Sequence, residues 1–179
     1  MKVLPRSFYN RDTRIVAKEL LGKYIIRNIG RKRSIGKIVE TEAYLENDPA
    51  SHAYKGITPR CAPMFEHPGY AYIYFIYGNH YCLNVVTEKF GRAGAVLIRA
   101  LEPISNVKLM TNGPGKLTKA LRINMRSNRA DLTSGNLLIA KGKTERFKVV
   151  KAKRIGLSKA SEKQYRYFIQ NNPFVSKYQ

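Results

Sequence analysis

Apolar and polar positions change their period several times along the chain, and each change predicts an element. Between Asp12 and Leu21 the residues Ile15, Val16, Leu20 and Leu21 supply an apolar side at helical spacing. Asp12 or Thr13 can cap that helix and Gly22 fits its stop position. Tyr24 to Arg27 reads as a short strand, and the basic run Arg31-Lys32-Arg33, with Gly30 and Gly36 around it, reads as a turn. The next strand is expected over Lys37 to Tyr44. If it is regular, Ile38, Glu40, Glu42 and Tyr44 share one face while Val39, Thr41 and Ala43 share the other. Asn47-Asp48-Pro49 ends it with turn chemistry, and the aperiodic stretch to Pro68 reads as loop with room for a short helix.

From Tyr70 the period is two. Tyr70, Tyr72 and Tyr74 alternate with Ala71, Ile73 and Phe75, Gly78-Asn79 interrupts, and Tyr81 to Val86 resumes. This is a hairpin signal with its turn near Tyr77 to His80. Ala95 to Leu101 is a further strand with a buried look. Pro114 suits the first position of a helix running to Ile123. Short strands follow around Asn136 to Ala140, Phe147 to Ala152 and Arg166 to Gln170. Neither a repeat nor a linker-like shift in composition divides the chain. The pattern predicts an α+β fold in one domain over residues 1–179, with a curved, mostly antiparallel sheet, a protruding hairpin and flanking helices.

Charge narrows the class of partner. Lys and Arg number 33 against 12 Asp and Glu, a formal net charge of +21. Such a surplus points to a polyanion, and nucleic acid is favoured over an acidic membrane surface. No stretch approaches the roughly 18 apolar residues of a spanning helix, and the amino terminus lacks the apolar core of a signal peptide. A hydrophobic content of 44% is too high for a disordered basic tail. Cys61 and Cys82 lie far apart without ligand spacing, so neither a disulfide framework nor a zinc site is expected, and the chain reads as cytoplasmic. His52, His67 and His80 do not form metal-ligand spacing either.

Three features could carry chemistry. Four of the 12 acidic residues fall within Glu40 to Asp48. Glu40 and Glu42 are either solvated strand carboxylates paired with the abundant cations, or one of them is a general base held in a cationic groove. Strand parity does not choose between them. Five of the 12 tyrosines lie between Tyr70 and Tyr81. They are either core or the lining of a pocket for a flat base, which would favour a cationic purine through the ring faces. Tyr77, at the hairpin tip, suits a wedge between base pairs. Finally, Asn112-Gly113-Pro114-Gly115-Lys116 is either a plain loop-to-helix junction or a phosphate site at Gly115 and Lys116.

Several motifs, in order along nearly the whole chain, resemble the alkyladenine (3-methyladenine) DNA glycosylases. They are Val39-Glu40-Thr41-Glu42-Ala43-Tyr44 followed by His52, and the run from Tyr72 through Tyr77-Gly78-Asn79-His80 to Asn84. Val96 to Pro103, Gly113 to Leu117 and Pro173-Phe174-Val175-Ser176 continue the match. The resemblance implies a monofunctional glycosylase that everts an alkylated purine from double-stranded DNA, with deaminated purines as a further substrate class. Glu42 would deprotonate a water that attacks the sugar C1′, with Arg99 beside that water. Tyr44, His52 and Tyr74 would wall the base pocket, Asn84 would crowd the amine of normal guanine, and Tyr77 would intercalate. It implies no cofactor and no metal, a DNA partner rather than a membrane, and a monomer. Two other readings of the same charge and tyrosines are a non-catalytic RNA-binding domain and a lyase-type glycosylase using a lysine.

Overall fold

The computed structural model describes residues 1–76 and 78–177. Its strands are β1 (Tyr24–Ile29), β2 (Lys32–Leu45), β3 (Ala71–Ile76), β4 (His80–Val86), β5 (Gly94–Ser105), β6 (Leu137–Ala140), β7 (Val149–Ala152) and β8 (Arg166–Ile169). They form one eight-stranded sheet in the order β3-β4-β5-β2-β1-β6, with β8 against β2 and β7 against β8. Every pairing is antiparallel. With three short helices, α1 (Arg6–Tyr9), α2 (Thr13–Glu19) and α3 (Pro114–Ala120), this is the expected α+β fold.

The organising element is β2. Its 14 residues are long enough to take β5 along one edge and two partners along the other. β1 covers residues Lys32 to Lys37, and β8 covers Glu40 to Glu42. The run Gly36 to Ala43 is buried throughout, as a strand paired on both edges and covered on both faces must be. Helix α2 lies over it. Asp12 caps α2 by accepting from the Arg14 amide, Val16, Ala17 and Leu20 are fully buried, and the Thr41 hydroxyl donates to the Ala17 carbonyl at 2.8 Å. Each such aliphatic side chain removed from water contributes about 1.5–3 kcal/mol, so α2 clamps the middle of β2.

A second, smaller cluster (Ala53, Cys61, Met64, Tyr72, Val86, Ala93 and Ala95) packs the loop after β2 against the other end of the sheet. That loop contains a 3-10 turn at Ala62–Phe65, the short helix anticipated there.

Several boundaries differ from expectation: β1 runs on to Ile29 and β5 spans Gly94–Ser105, and two further differences have a clear cause. The Arg31-Lys32-Arg33 run is not a turn: Lys32 and Arg33 belong to β2, and the reversal is the two-residue Gly30-Arg31. Gly30 adopts φ +54, a conformation tight hairpins need and glycine accepts without cost. The basic side chains extend the strand beyond the core, where no burial pattern marks it. Helix α3 ends at Ala120 rather than Ile123, because Arg122 turns to φ +51 and the Ile123 amide bonds back to the Thr118 carbonyl at 2.8 Å. Helix α1 had no periodic signal, being four residues long.

Strands β3 and β4 pair from Ala71 opposite Val85 to Ile76 opposite His80, as the two-residue period predicts. Tyr77, the expected wedge, lies outside the described residues. No helix among the described residues is long and apolar enough to cross a membrane.

Candidate active site

The pairing of β2 with β5 slips once at Ile35/Gly36 and again at its centre. Ile38 faces Leu101, Glu40 faces Ala100, and Thr41 faces Ile98, so the register shifts and returns within three residues. Arg99 falls at this irregularity, between the partners of Glu40 and Thr41. Its guanidinium consequently meets both carboxylates: Nε lies 3.3 Å from Glu40 Oε1, and a terminal nitrogen lies 3.3 Å from Glu42 Oε1. Burial alone would lower the arginine's pKa, but the two carboxylates raise it above the ordinary value. Arg99 is a fixed cation.

Both glutamates are completely buried. The solvated-carboxylate reading is therefore wrong, because β8 and the segment after it cover an edge that the sequence leaves open. Their surroundings differ. Glu40 accepts from Arg166 at 3.1 Å and from the amide and hydroxyl of Ser176, both at 2.8 Å. Arg99 Nε adds an ion-pair contact at Oε1 but no hydrogen bond, so among the described residues Glu40 is held by three hydrogen bonds. Glu42 accepts from the Tyr44 hydroxyl at Oε2 and from the Ile155 amide at Oε1, each at 2.8 Å. Its Oε1 also lies against Arg99, while Oε2, with one donor, keeps acceptor capacity.

A cavity of about 410 Å³ opens in front of this pair. Among the described residues Glu42 does not line it, but the three residues touching the Glu42 carboxylate, Tyr44, Arg99 and Ile155, all do. The wall on the hairpin side is aromatic. The His52 and Tyr74 rings meet edge-on at 4.7 Å, Tyr72 and Tyr74 lie 5.5 Å apart, and the Arg60 guanidinium sits 5.5 Å from the Tyr74 ring. Cys82 and Met64 add apolar surface. Burial pushes the Cys82 thiol up, which leaves it protonated and inert as a nucleophile.

His52 has one side toward solvent, but its Nδ1 lies 2.9 Å from the Tyr72 hydroxyl. Burial of the ring, helped by the nearby Arg60 charge, lowers its pKa from 6.5 to about 4. At neutral pH His52 is an uncharged imidazole. Burial likewise raises Tyr72 and Tyr74, and burial together with the Glu42 charge raises Tyr44, so all three keep their protons. Asn84 is opposite Tyr72 in the hairpin register and donates Nδ2 to the Tyr72 carbonyl at 3.1 Å, which fixes its amide at the cavity wall.

Another part of the rim, packed on β4, is the start of α3. Gly115 packs so closely on His80 that an added Cβ would lie 2.7 Å from the ring, and Lys116 Nζ is 3.4 Å from Asn112 Oδ1. Both line the cavity.

The structure thus brings together Glu42, Arg99, Tyr44, His52, Tyr74, Asn84, Gly115 and Lys116. Sequence reading missed Tyr72 as a wall, the Ile155-Gly156-Leu157 segment that closes the far side, and Arg154, Arg166 and Ser176 behind the carboxylates. Tyr72 was visible in the tyrosine alternation. The Ile155 contribution is a main-chain amide, which no side-chain pattern announces.

Comparison with known proteins agrees with this arrangement. The family model for methylpurine-DNA glycosylase (MPG) matches residues 7–173. A protein of Legionella pneumophila (strain Lens) is 51% identical, over 99% of this chain and 100% of its own length. One from Carboxydothermus hydrogenoformans is 48% identical, over 98% and 99%. One from Methanocella arvoryzae is 46% identical, over 99% and 97%. All three carry the provisional name 3-methyladenine DNA glycosylase. The aromatic cavity, the buried glutamates behind it and these full-length similarities lead to one assignment: the chain belongs to the methylpurine-DNA glycosylase family.

Proposed function

We propose that this enzyme, a DNA glycosylase of alkylated purines by family, takes the damaged base out of double-stranded DNA into the tyrosine-lined cavity and hydrolyses its N-glycosidic bond with a water activated by Glu42. The observation that carries this reading is the difference between the two buried glutamates. Among the described residues Glu40 is held by Arg166 and Ser176, neither of which lines the cavity, whereas Glu42 is held by Tyr44 and Ile155, which both do, and it keeps a spare lone pair on Oε2. Arg99 and the two donors converge on the Glu42 side chain, and a carboxylate there is the minimum equipment for taking a proton from water.

In this mechanism the base stacks against Tyr44, His52 and Tyr74. A methylated purine can be cationic, and tyrosine faces attract it by about 0.5–2 kcal/mol. A neutral His52 adds no opposing charge. As the C1′–N bond breaks, the purine leaves with the bonding electrons, neutralising its positive charge. The water oxygen bonds to C1′ and its proton passes to Glu42. Asn84 stands where it would crowd an exocyclic amine, Tyr77 fills the vacated place in the duplex, and Gly115 and Lys116 meet a phosphate. Deaminated purines fit the same stacking walls.

The test is incubation with duplex DNA carrying a methylated purine or hypoxanthine. Free base, with strand breaks only after alkali, is the expected result. Breaks without alkali would indicate a lysine nucleophile instead, and absence of base release from every such substrate would defeat the reading.

A further inference from the structure

The loop of residues 153–165, between β7 and β8, places one arginine against both donors that hold Glu42. Arg154 is 2% exposed and its partner Asp48 is 1% exposed. The Arg154 fork grips both Asp48 oxygens, and the same terminal nitrogen that meets Oδ2 also donates to the Ala43 carbonyl at 2.9 Å. Its guanidinium carbon lies 4.7 Å from the centre of the Tyr44 ring, whose hydroxyl donates to Glu42 Oε2. Ile155, the next residue, donates its amide to Glu42 Oε1. Asp48 and Ala43 themselves flank Tyr44 on and just after β2.

We propose that Arg154, anchored by Asp48, is a positioning residue that fixes the Tyr44 ring and the Ile155 amide, so that the Glu42 carboxylate is held in one orientation behind the cavity. The proposal rests on the reading of Glu42 as the base. Stability alone is a poor reason for this pair, since a fully buried ion pair can often be replaced by apolar groups without loss. Bidentate geometry supplies direction, which apolar packing and a lysine do not. Here that direction is delivered to a loop with no regular secondary structure to hold it.

Other charged and titratable groups also face Glu42. They are Tyr44 and Glu40 from β2, Arg99 from β5, Tyr74 from β3, Cys82 from β4 and, through Glu40, Arg166 from β8. Their contribution stays constant when only Arg154 is changed.

The test compares Arg154→Lys with the double variant Asp48→Asn/Arg154→Met, which leaves no buried charge orphaned, since Lys163, the other partner of Asp48, reaches solvent. Single-turnover excision is followed against pH, with affinity for duplex DNA and the amide spectrum recorded alongside. The expected result is a rate lower by on the order of tenfold to a hundredfold, as misplacing a reacting group by a fraction of an ångström produces. DNA affinity is kept, and the acid limb of the rate profile is displaced, which a loss of folded protein alone does not produce. A rate and acid limb like the wild type's, in a variant whose Ile155 amide resonance has shifted, would overturn the proposal. So would a loss of rate that merely follows the unfolded fraction with the limb unmoved. Should neither variant fold, the wild-type Ile155 amide proton decides: it must lie downfield and follow the titration of Glu42, and an ordinary, pH-independent shift overturns the idea. Glu42→Gln separates the two levels. If that variant excises at the wild-type rate the Glu42 reading itself fails, whereas a dead Glu42→Gln beside normal Arg154 variants sinks only this inference.

Discussion

The Tyr44 hydroxyl donates a 2.8 Å hydrogen bond to Glu42 Oε2, two residues back along the same strand. Residues i and i+2 of a strand share a face, so the backbone delivers both groups to one side. The tyrosine has two tasks in this geometry. Its ring lines the cavity, and its hydroxyl steadies the carboxylate behind it. Tyr44→Phe separates them. Removing a hydrogen bond to a charged group costs about 1.5–3 kcal/mol. The expected outcome is a single-turnover rate reduced by on the order of tenfold to a hundredfold, with binding of the damaged base nearly unchanged because the ring remains.

Glu42→Gln keeps the shape and can still accept from Tyr44 or the Ile155 amide, but it cannot take a proton from water. Base release should fall by on the order of 10²–10⁴, the usual worth of a general base. Affinity for the damaged duplex, measured by gel shift or anisotropy, should be retained. Excision near the wild-type rate would remove Glu42 from the mechanism.

Glu40 predicts a different phenotype. Its removal leaves Arg99 and Arg166 without the carboxylate they share and frees Ser176 from β2. Glu40→Ala should destabilise the fold by about 3–5 kcal/mol, the cost of breaking a buried charge pair from one side. Ser176→Ala removes one hydroxyl bond and should cost about 1 kcal/mol. Urea unfolding of the two variants checks both figures, and equal stabilities would contradict the assigned contacts.

The depressed pKa of His52 has a defined sign. The unfolded chain protonates this side chain near 6.5 and the folded chain near 4. Between those values the unfolded state binds more protons, so the contribution to stability is complete above 6.5 and is lost as the pH falls toward 4. An NMR titration of the His52 ring should find the low value, and His52→Gln should flatten that part of the stability profile. A His52 titrating near 6.5 would mean the ring does not stay on Tyr72 and Tyr74.

At the α3 rim the two residues can be told apart by salt. If Lys116 meets a phosphate, Lys116→Gln lowers the slope of log affinity against log salt by about 1. Gly115→Ala acts sterically, because the new Cβ would lie 2.7–3.0 Å from His80 atoms at the start of β4. It should lower both excision and thermal stability while leaving the salt slope alone. An unchanged slope in Lys116→Gln would place that lysine off the DNA path.

Much of this site was legible because strands advertise themselves by period. Glu42 and Tyr44 fall on one face by parity, Tyr72 and Tyr74 by alternation, and Asn84 follows from the hairpin register. The family motifs then favoured Glu42 over Glu40 as the proposed base, a choice that parity leaves open. What stayed hidden comes from sequence-distant chain. Arg154 is one cation among 33, and nothing local marks it as buried. The Ile155 amide has no side-chain signature at all. The extra length of β2 was concealed because Lys32 and Arg33 lie beyond the core, where charge looks like a turn.

The long strand that carries both glutamates has one further consequence, in time rather than space. Glu42 waits for a donor 113 residues later in the chain, and Glu40 for one 136 residues later. Contacts of such separation form late, because the intervening loop must close before they reward it. As the chain leaves the ribosome, the cavity walls around Tyr44, Tyr72 and Tyr74 exist before the residues that hold the acid behind them. With Glu42 as the proposed base, an unfinished chain would offer a basic surface to DNA well before it could cut a glycosidic bond, and hydrolytic competence would arrive only with residues 155–176.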